Sequence, residues 1–152
     1  MQEAERRRER LEEILREHVR NAKRSEELGN RLYGIDGKIY ELEDIINPRA
    51  GRRAELEALK KQRGALEEKQ GGLDEKIGEG DALILKLLHL MRNQSRAEVL
   101  QLLFVERLEA EDVAAKIYGR GDARSVSAMY HHRRRALEEL AELQETVAAF
   151  RL

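Results

Sequence analysis

The sequence predicts an all-α protein in which a long antiparallel coiled-coil helical hairpin is followed by a small domain of three helices. Three features of the 152 residues favour this class: 39% are charged, only 4% are aromatic, and proline occurs once. Long solvated helices have such a composition, whereas a bulky globular core needs more aromatic side chains. Alternation of β-branched and polar residues is nearly absent, which argues against a sheet.

The first arm of the hairpin is predicted from apolar residues whose spacing alternates between four and three. They are Leu28, Leu32, Ile35, Ile39, Leu42 and Ile46. This spacing places the side chains on one helix face, as in the a/d seam of a coiled coil. Asn47–Pro48 should end the helix, because proline has no amide proton and disfavours helix in the residue before it.

The second arm is predicted from a similar seam after the proline. Its members are Leu56, Leu59, Leu66, Leu73, Ile77, Ile84, Leu87 and Met91. We therefore expect residues 1–93 to form a hairpin with its turn near 47–53 and with arms about 60 Å long at the helical rise. Glycine is unfavourable inside a helix, so the glycine-rich stretch 71–81 favours a break there, with Asp81 capping a new helix.

The seam also predicts self-association, since a lone two-helix hairpin buries little surface. The residues expected to form an oligomer seam are Leu28, Leu32, Ile35, Ile39, Leu42, Ile46, Leu59, Leu66 and Leu73. Pairing of the two arms within one chain and pairing between chains satisfy the same pattern. A homodimer through the coiled coil is the expectation.

The second domain is expected over residues 95–152. Ser95 and Glu98 fit a capping box that opens a short apolar helix, Val99–Val105. Two more helices are expected from about Glu109 to Tyr118 and from about Arg124 to Ala149. The expected core of the three helices is Leu100, Leu103, Phe104, Val113, Ile117, Val126, Met129 and Leu137.

The last two helices have the pattern of a helix-turn-helix DNA-binding unit. The first is acidic, a glycine-containing turn (Gly119–Asp122) follows, and the second is basic. Residues 1–94 carry 20 basic and 20 acidic side chains, whereas 116–135 carry six basic side chains against Asp122 alone. Such a local surplus of positive charge is typical of a surface that contacts phosphates.

Specific roles follow if Val126, Met129 and Ala136 point inward. The side chains expected to contact base edges are Ser127, Ala128, Tyr130 and His131. Those expected to contact DNA phosphates are Lys116, Arg120, Arg124, Arg133, Arg134 and Arg135. Double-stranded DNA is therefore the expected partner.

The same region resembles a known family. The block Val99–Ala114, together with His131–Leu140, resembles the helix-turn-helix of region 4 of sigma-70-type factors, and in particular small phage-encoded regulators of the ArpU and RinA kind. The stretch between Ala114 and Ala136 is longer here than in the family pattern, and Glu109 stands where the family usually has Ser or Thr. The resemblance implies a DNA-binding transcriptional regulator of phage or prophage origin, with RNA polymerase as a possible partner.

Other functions find less support in the sequence. There is no cysteine, no apolar run of the roughly 20 residues that span a bilayer and no signal-peptide pattern, so we expect a cytoplasmic protein of a bacterial host cell. No constellation of catalytic side chains is evident, so we expect neither an enzyme nor a cofactor or metal. Two alternatives stay open: a phage packaging protein of the small-terminase type, and a coiled-coil adaptor that does not bind DNA.

Overall fold

The computed structural model describes residues 2–45 and 49–152, and all of the regular structure in them is helical. The helices are α1 (Gln2–Glu43), α2 (Ala50–His89), α3 (Gln94–Leu100), α4 (Ala110–Tyr118), α5 (Ala123–Glu142) and α6 (Gln144–Phe150). A π-helical turn, Gln101–Val105, extends α3. The predicted class, a long helical hairpin followed by a smaller helical domain, is confirmed. The predicted helix stop at Asn47–Pro48 lies outside the described residues.

The chain packs as two compact units. Unit 1 consists of the described residues of Met1–Val19 together with Glu79–Leu152, and unit 2 is Arg20–Gly78. The sequence predicts a domain boundary at residues 93–95, between the second arm of the hairpin and the helix that follows it. The packing divides the chain elsewhere, because the beginning of α1 and the end of α2 share a core with the C-terminal helices.

Unit 2 is a helical hairpin whose core is the predicted seam. Its buried side chains are Leu28, Leu32, Ile35 and Ile39 of α1 and Leu66 of α2, with Leu56, Leu59 and Leu73 packed against them. Leu42 is half-buried, and Ile46 lies outside the described residues. The two arms therefore pair within one chain, the alternative that the heptad pattern alone leaves undecided.

Polar contacts set the register of the arms in unit 2. The buried Ser25 hydroxyl donates a hydrogen bond to Asp74, and the Gln70 amide donates to the Ser25 carbonyl at 3.1 Å. Closer to the turn, Arg63 lies 2.8 Å from Asp36. A buried hydroxyl that loses its partner is costly, so these contacts favour one alignment of the arms over a shifted one.

Unit 1 contains two clusters of buried apolar side chains. One joins both arms of the hairpin to α3, the π-helical turn and α5, with Leu11, Leu87, Leu100, Phe104 and Leu137 among its members. The other consists of Val99, Leu102, Val113, Ala114 and Met129, which come from α3, the π-helical turn, α4 and α5. The second cluster sets the position of α4 against α5.

The glycine-rich stretch 71–81 does not break α2, so this prediction is wrong. The helix continues through it, because Leu73 and Ile84 pack in the hydrophobic clusters and outweigh the poor helix propensity of glycine. A side chain at position 80 would also clash: a Cβ there would lie 2.6 Å from the His18 ring. Asp81 does not cap a helix; its carboxylate lies 2.6 Å from His18 Nε2 and 3.0 Å from Arg107 Nη1.

Two helix ends also differ from the predictions. Helix α3 is capped by Asn93, whose side chain accepts from the Arg96 N–H at 3.1 Å, and Ser95 lies inside the helix. The predicted last helix is two helices, because Leu143 is extended between α5 and α6. That break turns the chain so that Phe150 and Leu152 pack against the larger cluster.

Candidate nucleic-acid interface

The turn between α4 and α5 is fixed at both ends. Gly119 ends α4 in the left-handed conformation (φ 76°), and its N–H donates to the Ala115 carbonyl at 2.9 Å. A left-handed residue at this point favours glycine, because a Cβ would be strained there. At the other end, Asp122 caps α5 by accepting from the Ser125 N–H at 2.8 Å.

The capping carboxyl has a lowered pKa. Hydrogen bonds from the Ser125 backbone N–H, and then from its side chain, lower the pKa of the Asp122 carboxyl. A charged carboxylate accepts more strongly than a neutral one and interacts favourably with the helix N-terminus. The ionised Asp122 therefore stabilises the start of α5.

Helix α5 presents one face to the core and the opposite face to solvent. Met129 is fully buried and Val126 is half-buried against the α3–α4 cluster. The four side chains predicted to contact base edges all lie on the exposed part of α5: Ser127, Ala128, Tyr130 and His131. Tyr130 has half of its surface exposed.

An open groove of about 720 Å³ runs along this face. Its walls are Glu111 of α4, Gly121 of the turn, and Ala123, Val126, Ser127, Tyr130, His131 and Arg134 of α5. The groove therefore combines hydrogen-bonding groups, an aromatic ring and a guanidinium on one helix face. These are the side-chain types that recognise base edges and backbone in nucleic acids.

Most of the predicted phosphate contacts are exposed cations, and Arg134 among them lines this groove. Lys116, Arg120, Arg124 and Arg135 form no ion pair with any described residue. Arg134 lies 3.4 Å from Glu138, but both side chains are at least half exposed, so the pair is weak. Cations without strong internal partners are available for an external anion.

Arg133 is the exception, and its assignment as a phosphate contact is corrected. Its guanidinium lies 2.6 Å from the Glu12 carboxylate and 5.8 Å from the centre of the Phe104 ring. Only 16% of its side chain is exposed. Arg133 therefore ties α5 to α1 inside unit 1 and does not lie with the other cations.

The partner of Arg133 was not evident from the sequence. Burial opposes ionisation of Glu12, but the hydrogen bond and charge of Arg133, together with Arg16 and Arg8, outweigh it and lower its pKa. The two residues are 121 positions apart, and no local pattern connects them. Glu111 was also missed as a groove residue, because its place beside α5 depends on the angle between the two helices.

The two adjacent histidines of α5 point in different directions, because successive residues of a helix lie about 100° apart around its axis. His131 is exposed, whereas His132 is half-buried. Within residues 2–45 and 49–152, no three His, Cys, Asp or Glu side chains are grouped as a metal ion would require. In the same part of the chain, no helix is long and apolar enough to cross a membrane.

Comparison with protein-family models, curated proteins and solved structures finds no match to this chain. The α4–turn–α5 unit and its exposed face are the features of the molecule that indicate a function.

Proposed function

We propose that this protein binds double-stranded DNA through the exposed face of α5 and acts as a sequence-specific transcriptional regulator. The observation that carries the proposal is the composition of this face. Ser127, Tyr130 and His131 are exposed and line one groove with Arg134, on a helix that a capped turn positions. An α-helix fits the major groove of B-DNA, where each base pair presents a distinct set of donors and acceptors.

The side chains would have two roles in DNA recognition, base contact and phosphate contact. Ser127, Tyr130 and His131 supply donors and acceptors for base edges, and the Ala128 methyl suits contact with a thymine methyl. Arg120, Arg124 and Lys116 supply positive charge for phosphates, which sets the position of α5 along the duplex without selecting a sequence. Glu111 borders the same groove and repels phosphate, so it restricts how the backbone can approach.

The heptad seam has a different role in this proposal. Most of its described side chains pack between the two arms of one chain, so we assign the seam to holding the hairpin together. A homodimer, which would bind two half-sites, then requires another surface. An RNA polymerase contact is part of the hypothesis only through the family resemblance.

Binding to a mixed-sequence DNA duplex over a salt series tests the proposal. The informative variant is Arg120→Gln/Arg124→Gln, because both side chains are exposed and unpaired. We expect wild-type affinity to fall steeply with salt, with a log–log slope of several units. The variant should bind more weakly and lose about one unit of slope for each phosphate contact removed.

A matched control removes the same charge elsewhere. Arg52→Gln/Arg53→Gln changes two exposed arginines near the start of α2 and should bind as wild type does. Selection from a random duplex library should then yield a preferred site, and Tyr130→Ala/His131→Ala should weaken that preference. Absence of binding near physiological salt, or equal loss in both arginine pairs, would contradict the proposal.

A further inference from the structure

Two tyrosines of α1 are the most exposed large apolar side chains in the described part of the chain. Tyr33 is 83% exposed and Tyr40 is 74% exposed. They lie seven residues apart, so they share one face of the helix and are separated by about 10 Å along its axis. Exposed tyrosine rings are enriched where proteins bind other proteins, because each ring buries a large area and ends in a polar group.

The same helix face is acidic. At about 100° per residue, Glu26, Glu41 and Asp44 lie within roughly 80° of Tyr33 around the axis. All three carboxylates are exposed, and none forms an ion pair with a described residue. We call the surface formed by Glu26, Tyr33, Gly37, Tyr40, Glu41 and Asp44 the Tyr33–Tyr40 face.

The nearby cations do not neutralise this face. Arg63 of α2 is paired with Asp36 at 2.8 Å, and Lys60 is paired with Glu43 at 2.9 Å. Arg31 and Lys38 of α1 lie well over 100° from Tyr33 around the helix, on its other side. Lys23 is exposed and lies about 80° from Tyr33, so one cation stands against the three carboxylates and the face keeps excess negative charge around its two uncovered rings.

The face also has room for an approaching chain. A Cβ added at Gly37, which lies between the two rings, would meet nothing within 4 Å. The backbone at this point is therefore open to close contact from outside.

We propose that the Tyr33–Tyr40 face docks a basic segment of another protein. Arginine or lysine side chains of that segment lie over the Tyr33 and Tyr40 rings and pair with Glu26, Glu41 and Asp44. Cations are attracted to the faces of aromatic rings, and complementary charge selects the partner. This surface is distinct from α5, so the inference goes beyond the proposed DNA binding.

The negative charge of the face argues against other kinds of binding partner. Nucleic acids and anionic membranes present phosphates, which the three carboxylates repel. A twofold interface between two copies uses the same patch on both, so it would bring carboxylates against carboxylates. A basic protein segment is the partner that suits both the rings and the charge.

The test uses the full chain and a fluorescent, amphipathic helical peptide that carries arginine along one face. Binding is followed by fluorescence anisotropy, with a peptide in which glutamine replaces arginine as the ligand control. Tyr33→Ala/Tyr40→Ala should weaken binding by about tenfold, because two ring–cation contacts are lost. Tyr33→Phe/Tyr40→Phe keeps both rings and should retain most of the affinity.

The carboxylates are tested in parallel. Glu26→Gln/Glu41→Gln should weaken binding and reduce its dependence on salt, whereas Glu55→Gln/Glu68→Gln, which alters exposed carboxylates of α2, should have little effect. All these residues are exposed, so helicity measured by circular dichroism should not change. Duplex DNA affinity should be unaffected by the tyrosine variants, which separates this test from that of the proposed function.

Three results would overturn the inference. The arginine peptide fails to bind the wild-type chain, or it binds Tyr33→Ala/Tyr40→Ala as tightly as wild type. The third is an equal loss of affinity in the α2 carboxylate variant, which would indicate general charge attraction.

Discussion

At the residue scale, Arg133 shows that a basic run does not have a single role. Arg133, Arg134 and Arg135 are adjacent in the sequence and were all predicted to contact phosphates. Successive residues of a helix point about 100° apart, so one of the three faces the core side of α5. The sequence predicts the exposed positions from the apolar pattern, but it does not reveal that Glu12 and Phe104 surround Arg133.

Replacing Arg133 should destabilise unit 1. In Arg133→Met the Glu12 carboxylate loses its shortest ion pair while it stays largely buried, and we expect a cost of about 2 kcal/mol in the free energy of unfolding. Arg135→Met removes an exposed, unpaired guanidinium and should change stability by less than about 0.5 kcal/mol. Urea denaturation of both variants measures the difference, and equal stabilities would show that the Arg133 pair does not matter for folding.

The same pair predicts a dependence of stability on acid. The pKa of Glu12 is lowered in the folded protein, so its ionised form stabilises the fold above the ordinary carboxyl pKa of about 4.3. This contribution is lost as the pH falls through the lowered pKa, where Glu12 becomes protonated. Glu12→Gln lacks this ionisable group, so its stability should fall less than that of the wild type as the pH is lowered.

Denaturation midpoints of the two proteins between neutral pH and about pH 3 provide the measurement. The two curves should converge as the pH falls below the usual glutamate range. Curves that stay parallel over the whole interval would mean that the Glu12 pKa is the same in the folded and unfolded states.

At the element scale, helix propensity was a poor predictor of where the helices break. The seam predicts the two arms, because apolar residues at heptad spacing must be buried somewhere, but it leaves open whether the arms pair within one chain or between chains. It does not predict whether glycines interrupt the second arm, since packing of Leu73 and Ile84 decides that. The break at Leu143 has no glycine or proline to indicate it, and it follows from the packing of Phe150 and Leu152 onto the core.

The two kinds of glycine in α2 should respond to alanine in opposite directions. A Cβ at Gly72 meets nothing within 4 Å, so Gly72→Ala should stabilise the protein by about 0.5–1 kcal/mol through helix propensity. At Gly80 a Cβ would lie 2.6 Å from the ring of His18, which Asp81 holds in place. Gly80→Ala should therefore destabilise the protein despite the better propensity of alanine.

Thermal unfolding followed by circular dichroism distinguishes the two outcomes. His18→Ala removes the obstructing ring. Adding Gly80→Ala to this variant should lower the unfolding temperature less than adding Gly80→Ala to the wild type. Stabilisation by Gly80→Ala alone would show that His18 moves aside without cost.

At the scale of the whole molecule, the sequence predicts the parts better than their grouping. The all-α class and the exposed face of α5 follow from periodicity, which is a local property of the chain. The composition of unit 1 does not, because Leu11 of α1 and Leu87 of α2 join Leu137 of α5 across large sequence separations. Contacts of that kind depend on tertiary packing and leave no local pattern.

The proposed DNA-binding face and the Tyr33–Tyr40 face belong to different units, which supports a separate binding role for each. The candidate DNA-binding residues of the α4–turn–α5 unit lie in unit 1, whereas the acidic Tyr33–Tyr40 face lies in unit 2. A duplex and a basic protein segment would therefore bind different units. DNA binding would give the α4–turn–α5 unit its role.

The most direct test is to map the residues that contact DNA by nuclear magnetic resonance on the isotope-labelled chain. On addition of a mixed-sequence duplex near physiological salt, we expect the largest amide shift changes between Arg120 and Arg134. Amides of unit 2, Arg20–Gly78, should change little. Changes concentrated in unit 2, or no changes on addition of the duplex, would contradict the proposal that α5 binds DNA.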